Sequence, residues 1–129
     1  MAVSSFFAGE SISAGQAVYV SPSGLVYKAS AANYTQASVA GIAVDNGVNG
    51  SLVRVQGDAM YSQYAGLTVG SYRYLSVATS GQLVSYSDWA TELNATSLSG
   101  AYLTNVGRCV STSGVEVELQ RPVFVINPV

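Results

Sequence analysis

Short apolar runs separated by glycine turns dominate the first half of the chain. Ala17–Val20 and 25–28 flank residues 21–24, where a proline sets φ for a turn and a glycine supplies a positive φ. This pattern predicts a β-hairpin. Residues 39–44 are apolar throughout, as in a buried strand, and 52–55 alternates between apolar and polar positions, as in a half-buried strand.

The second half repeats this order of features. In each half a glycine is followed four residues later by a strand tyrosine, Tyr19 in one and Tyr74 in the other. A glycine turn, an apolar strand at 83–86, a further run at 105–110 and an alternating strand at 115–119 complete the parallel. Two such units are better interpreted as halves of one domain than as a solenoid. The chain therefore predicts an all-β fold, a barrel or a sandwich, built from two similar halves of short antiparallel strands.

The domain organisation follows from the same pattern. Residues 11–120 form the predicted β domain, with halves at 11–60 and 61–120. The ends lack the turn partners of the middle, so 1–10 is predicted to be an N-terminal arm and 121–129 a C-terminal tail.

A polar insert in the second half provides the best candidate for a helix. We expect at most one short helix, near 87–94, beginning at an N-cap of Ser87 or Asp88. Trp89 and the leucine four residues later would share one face of it. The small, polar residues 29–38 are expected to form a loop or one helical turn.

Both ends of the chain carry large apolar side chains. Because exposed apolar residues near a terminus need a cover, we predict that one or both ends contact a neighbouring subunit. The alternative is that both ends pack on their own domain as edge strands. The candidate contact residues are Val3, Phe6, Phe7, Phe124 and Ile126.

The amino-acid composition indicates a surface that is poor in charge. The chain has 129 residues, the length of one domain, and only 9% of them are charged, against about 25% in a typical soluble domain. Interface cores are depleted in charge and enriched in tyrosine, so the composition favours a protein that contacts other proteins. Five scattered cations and a net charge of −2 argue against binding to nucleic acid or to an anionic membrane. No apolar run has the length of a membrane span, and the N-terminus lacks a signal-peptide pattern, so we expect cytoplasmic synthesis without export.

Candidate chemistry is sparse. The chain has no histidine, and its single cysteine, Cys109, is expected to be a buried hydrophobe. Asp45 and Asp58 lie in or near predicted turns, where carboxylates usually cap backbone N–H groups. Glu116 and Glu118 alternate with apolar residues and should face solvent. We therefore expect no enzymatic activity, no catalytic residues, no metal site and no cofactor.

Four tyrosines lie close together in the sequence, and they are the remaining candidates for a contact site. Tyr72 and Tyr74 would share one face of a strand, with Tyr61 and Tyr64 shortly before them. A rigid ring with a hydroxyl group suits contact with carbohydrate or protein. Cross-strand packing would explain the same residues, and both interpretations stay open.

The linear order of the elements resembles that of a known group of proteins. The order consists of a glycine-led strand at 15–20, a glycine hairpin at 24–27, a "VAGIA" strand within 39–44 and a glycine turn into "VRVQG" within 50–57. Residues 70–84 continue it in the second half. In this order the chain resembles small virion proteins of tailed bacteriophages, namely capsid cement (decoration) proteins and related head-fibre domains. The likeness covers roughly residues 12–119 and is specific in order but weak in residue identity.

This resemblance implies a β-barrel or sandwich that forms a homotrimer and bridges neighbouring capsomers on the outside of the capsid. The implied partners are the major capsid protein and further copies of the chain, and the implied location is the virion exterior after synthesis in the host cytoplasm. One or both ends of the chain would then contact the capsid or a neighbouring subunit. It carries over no catalytic residue. The alternative function is a receptor-binding or tail-fibre module, an adhesin that uses the tyrosine cluster to contact host surface carbohydrate.

Overall fold

The fold is a sandwich of antiparallel sheets, described here from a computed structural model that covers residues 3–96 and 99–126. This confirms the predicted all-β class with two similar halves, and it decides for the sandwich over the barrel. In chain order the elements are β1 (Val3–Phe7), β2 (Ala17–Val20), β3 (Val26–Lys28), α1 (Tyr34–Ala37), β4 (Gly41–Ala43), β5 (Leu52–Gln56), β6 (Ala59–Tyr61), β7 (Tyr72–Leu75), β8 (Leu83–Val84), α2 (Tyr86–Asn94), β9 (Gly100–Leu103), β10 (Asn105–Cys109), β11 (Val115–Val117) and β12 (Val123–Ile126).

The two halves of the chain form sheets with the same strand order. The first sheet runs β1-β5-β4-β2-β3 and the second runs β6-β11-β10-β7-β8. Each strand of the first sheet therefore has a counterpart at the same place in the second, and a helix follows the third strand of each half. The predicted hairpin is present as β2 and β3, with Gly24 at φ +85° in its turn.

The described residues near each end of the chain form strands within sheets. The described residues of the predicted N-terminal arm include β1, which pairs with β5 at one edge of the first sheet. The described part of the predicted tail includes β12, which pairs with β9 in a separate two-stranded sheet. Residues 1–2 and 127–129 of these segments lie outside the described residues. Docking of either end on a neighbouring subunit stays a prediction.

The larger helix starts earlier than predicted. Its N-cap is Ser85, whose hydroxyl accepts a hydrogen bond from the Asp88 backbone N–H at 3.3 Å, so the expected cap at Ser87 or Asp88 is wrong. The strand expected at 83–86 accordingly ends at Val84. Trp89 is buried on the helix together with Leu93 four residues later, which confirms the predicted apolar face.

A second helix exceeds the expected maximum of one. Helix α1 is a single turn within the segment 29–38, for which one helical turn was an open alternative. Asn33 stabilises it, because its side-chain Oδ1 accepts the backbone N–H of Gln36 at 2.9 Å.

Three groups of buried side chains hold the layers together. The main core lies between the halves and draws on both sheets, for example Ile42 of β4 and Leu75 of β7. A second core lies on the other face of the first sheet, where Ala8 and Ile12 of the β1–β2 connection cover it. The third packs Trp89 of α2 against the second half. The predicted strands β4 and β5 are confirmed by their burial, since β4 is buried throughout and β5 alternates.

Candidate functional site

The four candidate tyrosines are divided between two places in the fold. Tyr61 and Tyr64 stack on each other, with ring centroids 4.8 Å apart and ring planes inclined by 27°. Tyr72 is exposed on the second sheet, while Tyr74 meets Tyr86 of α2 edge-on at 5.8 Å. The sequence cluster is therefore one stacked pair and two rings that lie apart from it.

Strand β7 explains this division. Successive side chains of a strand point to opposite faces, so Tyr72 and Tyr74 share one face and Arg73 between them takes the other. On that other face Arg73 lies in the same cleft as Tyr61 and Tyr64.

This cleft lies at the junction of the two halves and has a volume of about 450 Å³. One wall is the segment that leads into β2, in the first half. The other walls are the β6–β7 loop and the β7–β8 turn, both in the second half. Apart from the two tyrosines and Arg73, the lining residues are Ala14, Gly15, Gln16, Gln63, Ala65, Leu67, Thr79, Ser80, Gly81, Gln82 and Leu83.

Hydrogen bonds across the junction fix these walls relative to one another. The Tyr64 hydroxyl donates to the Gly15 carbonyl at 2.7 Å. The Gly81 N–H donates to the Ala29 carbonyl, and the Gly81 carbonyl accepts the Ala17 N–H, each at 2.8 Å. The cleft is therefore a built feature of the junction, formed by segments far apart in sequence.

Glu92 of α2 holds the first residues of the β7–β8 turn through three hydrogen bonds. Its Oε1 accepts the Ser76 hydroxyl at 2.8 Å, the Val77 N–H at 2.9 Å and the Ala78 N–H at 3.3 Å. Ser76 is buried, and its hydroxyl oxygen also accepts the Thr79 N–H at 3.0 Å. Because residues 79–83 line the cleft, this carboxylate positions one of its walls.

Arg73 is the charged residue of the cleft. Its guanidinium makes no hydrogen bond or ion pair within residues 3–96 and 99–126, and its buried Nε lacks a partner there. None of the described residues that line the cleft is acidic. A guanidinium partly removed from water without a counter-ion is costly, so an anion in the cleft would be stabilised.

The stacked tyrosines are neutral hydrogen-bonding groups. Burial, and to a smaller extent the neighbouring Tyr61, raises the pKa of Tyr64 above the ordinary tyrosine value, against the lowering effect of Arg73. Burial also raises the pKa of Tyr61. Both phenols therefore keep their protons well above neutral pH.

The apolar candidates near the two ends are mostly exposed. On β1, Phe6 packs partly against the core of the first half, whereas Val3 and Phe7 point to the opposite face and are exposed. Phe7 lies directly across from the exposed Leu52 of β5. These residues form an apolar surface at the edge of the first sheet, with Leu52 an addition that the sequence analysis did not single out.

Strand β12 is the most exposed apolar element. Val123, Phe124 and Ile126 are 60%, 50% and 73% exposed, although Phe124 contacts the ring of Tyr102 edge-on at 5.2 Å. Within the described part of the chain, β12 pairs with β9 on one edge and has no strand on the other. We call the residues Val123–Ile126 the apolar edge.

The remaining candidate groups have structural roles. Asp45 forms an ion pair with Arg54, through Oδ1 to Nη2 at 2.7 Å, and Asp58 Oδ1 accepts the backbone N–H of Leu119 at 3.0 Å. Asp45 Oδ2 also accepts the backbone N–H of Arg54 at 3.0 Å, so both carboxylates bind backbone N–H groups, as expected of turn carboxylates. Cys109 is buried in the main core, as predicted.

Among the described residues, no group of three or more histidine, cysteine, aspartate or glutamate side chains is placed to hold a metal ion. Within the same residues, neither helix has the length and apolar character needed to cross a membrane.

Sequence reasoning missed Arg73 and the glutamines of the cleft. One signal was available, because a shared face for Tyr72 and Tyr74 places Arg73 on the opposite face of β7. No local pattern indicates that Gln16 and Gln82 line the same cleft, since this depends on how the two halves dock.

Comparison with known proteins adds no family. No protein-family model matches the chain, and a search of curated proteins found no match.

Proposed function

We propose that this chain is a structural virion protein, a cement protein that attaches as a homotrimer to the outer surface of a tailed-phage capsid. The observation that carries the proposal is the apolar edge. Three of its four side chains are at least half exposed, and it carries no charged residue. Exposed edge strands are usually protected by charge, by proline or by a cover, and an unprotected one pairs readily with another chain.

A second exposed apolar surface, formed by Val3, Phe7 and Leu52, supports a bridging role. A cement protein needs one surface for its own copies and another for the shell. We assign the apolar edge to contacts between copies, in a head-to-tail ring that closes at three subunits, and the β1–β5 surface to the major capsid protein. Burial of apolar area at about 25 cal/mol per Å² would stabilise both contacts.

The proposal involves no catalytic step and no cofactor. It places the protein on the capsid exterior after synthesis in the host cytoplasm. With only 9% charged residues, the surface would lose little charge solvation on assembly, and attachment would depend little on salt.

Copy number tests the proposal. Quantitative mass spectrometry of purified particles would compare this chain with the major capsid protein. A ratio near one supports the cement role, while absence of the chain from particles would contradict it.

The second candidate is a receptor-binding or tail-fibre module that contacts host carbohydrate. The observation in its favour is the cleft, which combines a stacked tyrosine pair with amide and hydroxyl side chains. A few copies per particle would favour this function over the first.

A further inference from the structure

We infer that the cleft between the two halves binds a saccharide that carries a carboxylate, such as a uronic acid. This site is independent of the assembly role, and it names a ligand class for the second candidate function. The cleft has the volume of a ligand site, one charged side chain and several polar groups around that charge.

The size of the cleft suits a small organic ligand rather than a lone ion. Its volume of about 450 Å³ falls within the range of roughly 300–1,000 Å³ that is typical of ligand sites. Hydrogen bonds through Tyr64 and Gly81 tie its walls together, so the ligand would enter a preformed site.

Charge selects the functional group of the ligand. Arg73 is the single charged side chain among the described lining residues, and it lacks an ion-pair partner in the described part of the chain. One guanidinium matches one carboxylate in charge, and its planar fork can donate two parallel hydrogen bonds to the two oxygens. A phosphate, with its higher charge, would be matched less well by a single cation.

The remaining groups suit the body of a sugar. Gln63 and Gln82 have no side-chain hydrogen bond within the described residues, so both amides can donate to and accept from hydroxyl groups. Gln16 uses its Oε1 to accept the Ser13 N–H at 2.8 Å, which leaves its NH₂ as a donor. Tyr64 and Leu83 add apolar surface beside these amides, which complements the C–H faces of a pyranose ring.

The test is a titration of the whole chain with glucuronate, followed by calorimetry and by NMR shifts of residues in the cleft. We expect saturable binding, with neutral glucose at least tenfold weaker. Arg73→Met should weaken glucuronate binding by about ten- to a hundredfold, the range for loss of a charge-assisted hydrogen-bonded pair. Arg108→Met is the matched control, because Arg108 is an exposed arginine on the neighbouring strand β10. This variant should bind glucuronate as tightly as the unchanged chain.

A second variant and a second ligand complete the test. If Arg73→Met fails to fold, Gln82→Leu changes an exposed lining residue and should still reduce affinity. An acidic peptide that binds through Arg73 while glucuronate does not would replace the saccharide with a protein ligand and overturn the inference. Absence of glucuronate binding, or equal binding by Arg73→Met and Arg108→Met, would also overturn it, and neither result would alter the copy-number test of the cement role.

Discussion

Replacing Ile126 by serine should weaken self-association while leaving the folded chain almost unchanged. Ile126 lies in the apolar edge and is 73% exposed, so the fold itself gains little from its side chain. If the edge pairs with another copy, this side chain becomes buried on assembly, and serine would lose that burial and place a hydroxyl group in an apolar contact.

The two effects differ clearly in size. Full burial of an isoleucine side chain contributes about 1.5–3 kcal/mol. Since about a quarter of that burial exists in the single chain, the substitution should cost the fold only about 0.5 kcal/mol. The remaining ~1–2 kcal/mol would be lost at each interface between copies, and this corresponds to a dissociation constant raised about five- to thirtyfold.

Sedimentation velocity over a concentration series would measure association, and thermal unfolding would measure stability. Val48→Ser is the matched control, because Val48 is 67% exposed but lies in the β4–β5 connection outside any strand. Association should weaken in Ile126→Ser alone. If both variants associate as strongly as the unchanged chain, the apolar edge has no role in self-association. The same conclusion would follow if the unchanged chain were a monomer at every concentration.

Two other predictions concern stability and charge. Glu92→Gln should lower the free energy of unfolding in urea by about 1–3 kcal/mol, because a neutral amide oxygen replaces the carboxylate oxygen that accepts three hydrogen bonds. The control is Glu118→Gln, which changes an exposed glutamate and should leave the free energy of unfolding almost unchanged. Equal effects of the two would contradict the role given to Glu92. Hydrogen bonds from Arg54 lower the pKa of Asp45 from 3.8 to about 2. The ionised Asp45 therefore stabilises the fold fully above pH 3.8, and this stabilisation is lost as the pH falls through about 2. NMR titration of the Asp45 carboxyl should show this value, with a return toward 3.8 in Arg54→Met, and an unchanged value in that variant would exclude the ion pair as the cause.

Local patterns predict those parts of the fold that local physics determines. The β2–β3 hairpin was predictable because Gly24 supplies the positive φ that its turn needs. The alternation in β5 identified its buried face, since Val53 and Val55 are buried and their neighbours Leu52 and Arg54 are exposed.

The start of α2 was predicted wrongly because several neighbouring residues can serve as its N-cap. Ser85, Ser87 and Asp88 are all good N-cap residues, and all stand within one turn of one another. The apolar periodicity of Trp89 and Leu93 fits a start at any of them. Tertiary packing selects Ser85, because the chain leaves β8 at Val84 and turns directly into the helix.

The cleft could not be predicted, because it depends on docking. Its walls join Gly15 to Tyr64 and Ala29 to Gly81, pairs that lie about fifty residues apart. A sequence pattern of period two indicates which face of a strand is buried, but not which loops of another half it will meet.

Two of the three candidate functional surfaces, the apolar edge and the cleft, lie outside the strand order that the two halves share. The two five-stranded sheets have the same strand order. This repeated unit accounts for the burial of the core side chains and for the stability of the fold. Strands β9 and β12 stand outside that order, and they form the apolar edge and its support. The cleft belongs to neither half alone, since Gln16 reaches it from the segment before β2 in the first half and Arg73 from β7 in the second. Separating the halves should therefore abolish the cleft even if each sheet kept its strand order, so ligand binding would require the joined pair.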